Sequence, residues 1–272
     1  MKVADAVVQA QRTFDRAAGK NRLHLVSAWS TANGITLGQV AVDEKSNEIT
    51  AIPQLLQAVD ITGATVTIDA MGCQKEIAKA IIDGGGDYLL AAKGNPETTL
   101  RIIQETLAEH LESDAPPPRG TRHETHEKKH GREETREYVS LPAPASLKKL
   151  GWSAVRSIGM VYSRTLREGK VSEESRDYLS SRRPSTRKLA TFSRRHWSIE
   201  NNLHWVLDVS FHEDLCRLRS GHSAENLALL NRIGLTLLKA DQTVKAGIAC
   251  KRKTAGWDNN YLIQLLLNTT SI

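Results

Sequence analysis

Residues 64–92 constrain the fold more than any other stretch of this chain. ATVTI at 64–68 is a β-branched run bracketed by Gly63 and Asp69, which predicts a strand buried on both faces. A helix is expected over 74–82, stopped by the glycines at 84–86. DYLLAA at 87–92 predicts the next strand, ending in the turn Lys93-Gly94-Asn95-Pro96. Strand, helix and strand with short connections build a parallel sheet, so the expected class is α/β. Upstream, LHLVSAW (23–29) and ITLGQVAV (35–42) flank Asn33-Gly34 and predict a β-hairpin. A hairpin feeding a parallel core makes the sheet mixed. A helix over 46–60 joins the two, with Pro53 tolerated in its first turn.

The remaining elements follow the same logic. Residues 97–112 form an amphipathic helix, and the Pro-rich stretch 113–120 breaks it. Residues 121–136 are dense in charge and histidine and read as an exposed strand pair or excursion. A second hairpin is expected from 152–165 and 171–180, turning at Glu168-Gly169-Lys170. Helices follow over 186–207, over 223–240 (carried by Leu227, Leu230, Leu235 and Leu238) and over 257–267. The expected organisation is one α/β domain over 23–272 with an insertion at about 97–140. Residues 1–20 look unlike the start of a compact domain. At 272 residues the chain can bury a large core. A net charge of +6 favours a polyanionic partner. Cys73, Cys216 and Cys250 lack paired or metal-type spacing and point to a reducing cytosol. No apolar run reaches the eighteen residues of a membrane span, and no apolar signal core opens the chain, so a soluble intracellular protein is expected.

Residues 194–214, RRHWSIENNLHWVLDVSFHED, hold the densest chemistry. On a helix His196, Glu200 and His204 lie four apart and share one ridge, with Arg194 and Arg195 just before them. A carboxylate among imidazoles and arginines suits a site for a divalent cation and an anionic substrate. A solvated helix face beside a Trp-rich core explains the same residues. Asp69 closes the buried strand, where open α/β sheets place ligands, although an acid there also caps a following helix. Joined to Glu200 on a late helix, Asp69 fits the metal site of a ribonuclease H-like core, an α/β fold with a mixed sheet flanked by helices. Magnesium takes few protein carboxylates and completes its shell with water and phosphate. The histidines within 121–136 offer metal ligands or a solvated face.

Several blocks also resemble one family. TIDAMGCQ (67–74), GGDYLLAAKGN (85–95) and the 194–214 stretch are similar to the H-repeat-associated bacterial insertion-sequence transposases, which are DDE enzymes. DRAAGK with HLVSAW (15–29) and KSNEITAIPQLL (45–56) match the same group, so the resemblance runs from about residue 14 over nearly the whole chain. It implies a DNA transposase that hydrolyses a phosphodiester at the element's end, after which the freed 3′-hydroxyl attacks target DNA. Asp69 then corresponds to the second catalytic acid and Glu200 to the third. The family's first acid lies in an Ile-Asp-Gly-Lys block. Here that region reads ADAVVQAQR (4–12), the slot falls near Ala6, and Asp5 is one residue off. A one-residue slip on a strand turns a side chain to the opposite face. Asp5 is therefore a poor substitute, and 1–22 read as a degraded remnant of the first-strand region in an N-terminally truncated copy with impaired catalysis.

The implied cofactor is Mg²⁺ or Mn²⁺, held by Asp69 and Glu200 with Asp208 assisting; two ions would activate the attacking oxygen and stabilise the leaving one. The implied partner is double-stranded DNA, both the terminal inverted repeats and the target, in the cytoplasm at the nucleoid. The resemblance leaves room for a homodimer. Lys93, Arg194, Arg195, Arg217 and Arg219 are the expected phosphate contacts, with Asn201 hydrogen-bonding beside Glu200. Trp197 and Trp205 either stack on a base or pack the helix. Glu213 and Asp214 either assist the site or pair with Arg217 or Arg219. Two other readings stay open: a zinc hydrolase built on His196, Glu200 and His204, and a non-catalytic DNA-binding remnant or inhibitor of a full-length transposase.

Overall fold

The computed structural model describes residues 5–12, 24–42, 48–94, 97–113, 120–129, 131–218 and 220–267. In chain order its elements are β1 (Asp5–Arg12), β2 (His24–Ser30), β3 (Ile35–Val42), α1 (Glu48–Gln57), β4 (Thr65–Ile68), α2 (Lys75–Asp83), β5 (Asp87–Ala92) and α3 (Glu97–Glu112). Then come β6 (Arg122–Lys129), β7 (Arg132–Pro142), α4 (Ala145–Lys149), β8 (Ser157–Arg167), β9 (Lys170–Ser180) and α5 (Thr186–Ile199). A π turn (Glu200–His204), α6 (Trp205–Phe211), α7 (Ser223–Ala240), α8 (Ile248–Trp257) and α9 (Asn259–Leu267) complete it. The fold is mixed α/β, a mixed sheet flanked by helices. The chain divides into two compact units, one of Met1–Val8 with Asp60–His196, the other of Gln9–Val59 with Trp197–Ile272.

In the first unit the strand order is β1-β4-β5-β9-β8-β7-β6. Strand β4 runs parallel to β1 on one side and β5 on the other, and all four of its residues are buried. Covering both faces is what a β-branched TVTI segment requires. Helix α2 packs Ile77, Ala78 and Ile81 inward at helical spacing and ends where Gly85 takes φ +74°, a left-handed turn glycine tolerates without strain. Helix α3 buries Thr99, Ile103 and Leu107 at intervals of four. The Trp152 Nε1–H donates to Thr99 Oγ1 at 3.0 Å.

The antiparallel half of this sheet differs in its bounds from the sequence expectation. Strand β8 starts at Ser157, five residues after the expected start, and pairs to Arg167 with β9. Arg167 faces Lys170, so the hairpin turns on Glu168 (φ +50°) and Gly169 (φ +76°), the two left-handed positions of a twist-matched tight turn. The charged stretch 121–136 becomes the strand pair β6–β7, with β7 paired to β8 along its length. Its core-facing end is carried by Tyr138, which joins Leu89, Val161, Tyr178, Leu189 and Ala190 in one apolar cluster.

In the second unit β2 and β3 form the expected antiparallel hairpin, with Gly34 at φ +67° closing the turn. Leu25, Val26, Trp29, Leu55 and Leu56 are almost fully buried. Helices α6 to α9 enclose a second cluster around Leu238, Tyr261 and Leu265. The expected uninterrupted helix over 186–207 is instead α5, a π turn and α6 running on to Phe211. The wider turn accommodates one extra residue while Ile199, Leu203 and Leu207 all stay buried. No helix among the described residues is long and apolar enough to cross a membrane.

Candidate functional site

Asp69 directly follows β4 and opens a short 3-10 turn at residues 70–72. Its backbone is extended, as a helix-capping residue requires, and Oδ1 accepts the Met71 N–H at 3.2 Å. Burial pushes the carboxyl above the usual aspartate range; hydrogen bonds from the Gly72 and Met71 amides oppose this in part. The capping role and an acid aimed out of the carboxyl end of the sheet thus coexist in one residue. Lys93 lies at the end of β5, exposed. Cys73 is fully buried and its thiol is pushed up to about 12, so it is no nucleophile at neutral pH.

Glu200 opens the π turn, and its Oε2 lies 3.3 Å from His204 Nδ1. The Glu200 side chain is half exposed while His204 is buried. The His204 Nε2 is buried without a hydrogen-bond partner among the described residues. One turn on, Asp208 is pushed above the usual aspartate range, first by burial and then by the charge of Asp214, with His204 pulling the other way. Glu200, His204, Asp208 and Asp214 therefore form one electrostatic neighbourhood within the second unit, and Asp69 belongs to the first.

A further buried pair supports that neighbourhood. Arg232 of α7 donates from Nη1 to Glu213 Oε1 at 2.7 Å and to the Ala228 carbonyl at 2.9 Å. Both side chains are nearly inaccessible. Glu213 therefore pairs with Arg232. Burial still pushes the Glu213 carboxyl up, against the pull of Arg232. Lys239, also on α7, donates to the Asn202 carbonyl inside the π turn at 2.5 Å and lies 4.7 Å from the Trp29 ring. A π turn leaves carbonyls displaced from α-helical pairing, and Lys239 satisfies one of them.

The other expected site residues divide clearly. Arg194 forms an ion pair with Glu127 of β6 at 2.5 Å, so its charge is already matched within the protein. Arg195, Asn201 and Arg217 are exposed. Arg219 and the side chain of Asp5 lie outside the described residues. The β1–β4 register sets Asp5 opposite Thr65 and Ala6 opposite Val66. Asp69 is four residues beyond the level of Asp5, about 13 Å along a strand. Trp197 is half-buried, which favours packing, whereas Trp205 is 59 % exposed.

The histidines expected as alternative metal ligands have other work. His196 is buried with Nδ1 3.1 Å from Thr67 Oγ1 on β4, which ties α5 to the central strand. His126 contacts Glu124 and Thr135, and His123 stacks on Tyr138. Among the described residues no group of three or more His, Cys, Asp or Glu side chains is close enough to hold a metal ion. The carboxylates present are hard oxygen donors, the kind magnesium takes one or two at a time alongside water and phosphate. Burial raises the proton affinity of Asp69, and burial together with the charge of Asp214 raises that of Asp208.

Comparison with known proteins matches these features to one family. A family model described as Transposase DDE domain matches residues 1–237. The chain is 37% identical over 263 residues to the protein YbfL of Escherichia coli (strain K12), covering 94% of this chain and 68% of that protein. It is equally similar, 37% over 263 residues with the same coverage, to the H repeat-associated protein YhhI of the same organism. That relative bears out the resemblance drawn from the sequence blocks. Among solved structures, a piggyBac transposase synaptic complex with hairpin DNA aligns at TM-score 0.44 and 10% identity, over 97% of this chain and 52% of that one. The chain thus spans about half the length of that transposase chain. On the family model and these relatives, the chain belongs to the Transposase DDE domain family.

Proposed function

We propose that this chain acts on DNA as an insertion-sequence transposase domain, with Asp69 and Glu200 as its metal-binding carboxylates and Asp208 assisting. The observation that carries this reading is family membership across 1–237 combined with the settings of the two acids. Asp69 closes a fully buried parallel strand, and Glu200 stands at the head of a π turn braced by His204 and Lys239. The metal, Mg²⁺ or Mn²⁺, would be held by these carboxylates and would supply charge neutralisation for the attacking and leaving oxygens when bound. The Met71 and Gly72 amides orient the Asp69 carboxyl, and His204 orients Glu200. The exposed cations Lys93, Arg195 and Arg217, and Arg219 beyond the described residues, would contact phosphates of the terminal inverted repeats and the target. A homodimer and a nucleoid location belong to the same reading.

Catalysis by this polypeptide is expected to be impaired, because no acid occupies the position expected of the first one. Asp5 is displaced by one residue in sequence, and its register puts it four residues short of Asp69. For the same reason 1–22 read as a degraded first-strand region before a DDE domain over 23–272. The second reading, a DNA-binding remnant or inhibitor without cleavage, draws on that same displacement.

The test is divalent-metal-dependent nicking of DNA that carries the element's terminal inverted repeats, run with binding on the same duplex. Binding with weak nicking, abolished by Asp69→Asn or Glu200→Gln, is the expected result. Binding with no nicking favours the remnant. Robust nicking would refute the impairment, and nicking that survives both substitutions would refute the assignment of the acids. Iron(II)-directed backbone cleavage supplies a second readout: one ion shared by both acids cuts the chain near 69 and near 200, and cuts at only one of them would refute a shared site.

A further inference from the structure

The excess positive charge of this protein has an address. Between Asp177 and Glu200 there is no acid, and six arginines and lysines: Arg182, Arg183, Arg187, Lys188, Arg194 and Arg195. That number equals the net charge of the whole chain, +6, so the rest of the sequence is balanced. Arg194 and Arg182 are engaged by carboxylates. Arg194 pairs with Glu127, and Arg182 reaches Asp87 at 3.3 Å while donating to Thr65 Oγ1 at 2.7 Å.

Arg183 and Lys188 line a small pocket of about 20 Å³ that opens to solvent between the start of β8, the end of β9 and the start of α5. Its frame is rigid and polar. Ser157 Oγ donates to the Arg182 carbonyl, Ser180 Oγ donates to the Tyr88 carbonyl, and Ser140 Oγ accepts the Ser185 N–H. Ser185 caps α5 by accepting the Lys188 N–H at 3.3 Å. Arg187 and Lys188 therefore occupy the first turn of a fourteen-residue helix that has no acid there. Cations at that end oppose the helix dipole, and an anion at the pocket would satisfy dipole and side chains together.

We infer that the exposed basic surface around this pocket binds the phosphodiester backbone of double-stranded DNA, with Arg183, Arg187 and Lys188 as the phosphate contacts and Arg182 as part of the pocket wall. The inference rests on the reading of the chain as a DNA-acting transposase and adds a contact surface to it. Arg183 and Lys188 at the pocket and Arg187 beside them in the first turn of α5 are all exposed, and with no acid in the same segment they suit a repeating anion. Contacts of this kind position a duplex without reading its sequence.

The experiment measures affinity for two unrelated 20-base-pair duplexes, by fluorescence anisotropy, across a range of salt concentrations. Each lost phosphate contact lowers the slope of log affinity against log salt by about 0.9. The variant R183A/R187A/K188A is expected to lower it by up to about 2.7, with equal loss on both sequences. The matched control K148A/K149A/K170A removes three exposed cations elsewhere in the same unit and is expected to leave the slope in place. An unchanged slope in the first variant, or an equal fall in the control, overturns the site while leaving the transposase reading intact. Failure of the unmodified protein to bind either duplex overturns both. Thermal melting of each variant, with Arg182 and Ser185 kept, separates loss of contact from loss of fold.

Discussion

Replacing Arg232 with methionine should be among the most damaging single changes available in the second unit. Met keeps most of the side-chain volume and removes only the charge and its donors. Glu213 would then be left inaccessible, with Oε1 stripped of its 2.7 Å partner and Oε2 already without one among the described residues. Removing one member of a buried pair costs about 3–5 kcal/mol, because the remaining charge has lost its solvation and its partner. For a chain of this size that corresponds to a fall in Tm of roughly 6–20 °C. By comparison, the surface pair Lys79–Asp83, with both side chains more than half exposed, is worth about 0.3–0.5 kcal/mol. Urea denaturation followed by tryptophan fluorescence gives the cost as a shift in midpoint at constant slope. The double variant Glu213→Gln with Arg232→Met should recover most of the loss, since it leaves no charge buried. The sign with pH is also fixed. The folded-state Glu213 carboxyl is already raised by burial, and loss of Arg232 raises it further, so the charged form destabilises the variant at high pH. The penalty should shrink as pH falls through that raised value. A cost below about 1 kcal/mol, or no recovery in the double variant, would refute the view that this pair is a buried and mutually dependent charge.

Gly159 on β8 faces Leu189 of α5 so closely that an added Cβ would lie 2.7 Å from Leu189 Cδ2 and 3.0 Å from the Val139 carbonyl. Gly159→Ala should therefore cost about 1–3 kcal/mol by denaturation, and a neutral result would show that the helix shifts freely on the sheet. Glu168→Asn should stabilise the β8–β9 hairpin by about 0.5–1 kcal/mol, because Asn tolerates the left-handed backbone that Glu168 is forced to adopt. Asp177 is buried, and desolvation raises its carboxyl despite the Gln104 amide donating at 3.0 Å. A raised acid destabilises the fold above its folded-state value, so the wild type should gain stability relative to Asp177→Asn as pH is lowered from neutrality towards the ordinary aspartate range. A difference that does not vary with pH would contradict this.

The elements legible in the sequence were those whose own residues set their limits. The strands at 35–42 and 87–92 and the helices at 97–112 and 223–240 have the bounds expected for them. Each is bracketed by glycine, proline or a polar break, and each carries one clean period. The elements that escaped have no such signal. Helix α4 is only five residues long, and α8, IACKRKTAGW, carries four charged or polar residues and a glycine in ten. What holds α8 is Lys251, whose ammonium donates to the Leu238 and Asp241 carbonyls and lies 3.2 Å from the Asp241 carboxylate. A lysine serving as a core residue reads as a solvent-facing one in any hydropathy pattern. The same substitution of roles misleads on α7. Apolar spacing points to Leu230, which is 62 % exposed, while the inward ridge runs through Ala228, Arg232, Leu235 and Leu238.

The site shows the same division between what a residue can announce and what only its surroundings determine. Asp69 and Glu200 were legible because a carboxylate at the end of an apolar strand, and another between imidazoles, are costly unless used. The π turn that carries Glu200 was not, since ENNLH differs little from any helical pentapeptide. Lys239, distant in sequence, takes the Asn202 carbonyl, and the turn's own Leu203 is buried in the core. Burial costs Lys239 part of its proton affinity, so the arrangement is not free; it holds because the ammonium also stacks on Trp29 and satisfies a carbonyl the π turn displaces. Glu200 is placed by the contact of its Oε2 with His204 Nδ1 one turn ahead, while His196 one turn behind contacts Thr67 on β4. Removing one residue from the turn would rotate α6, and Asp208 with it, relative to Glu200, which is why the acid and its scaffold have to be understood as one element.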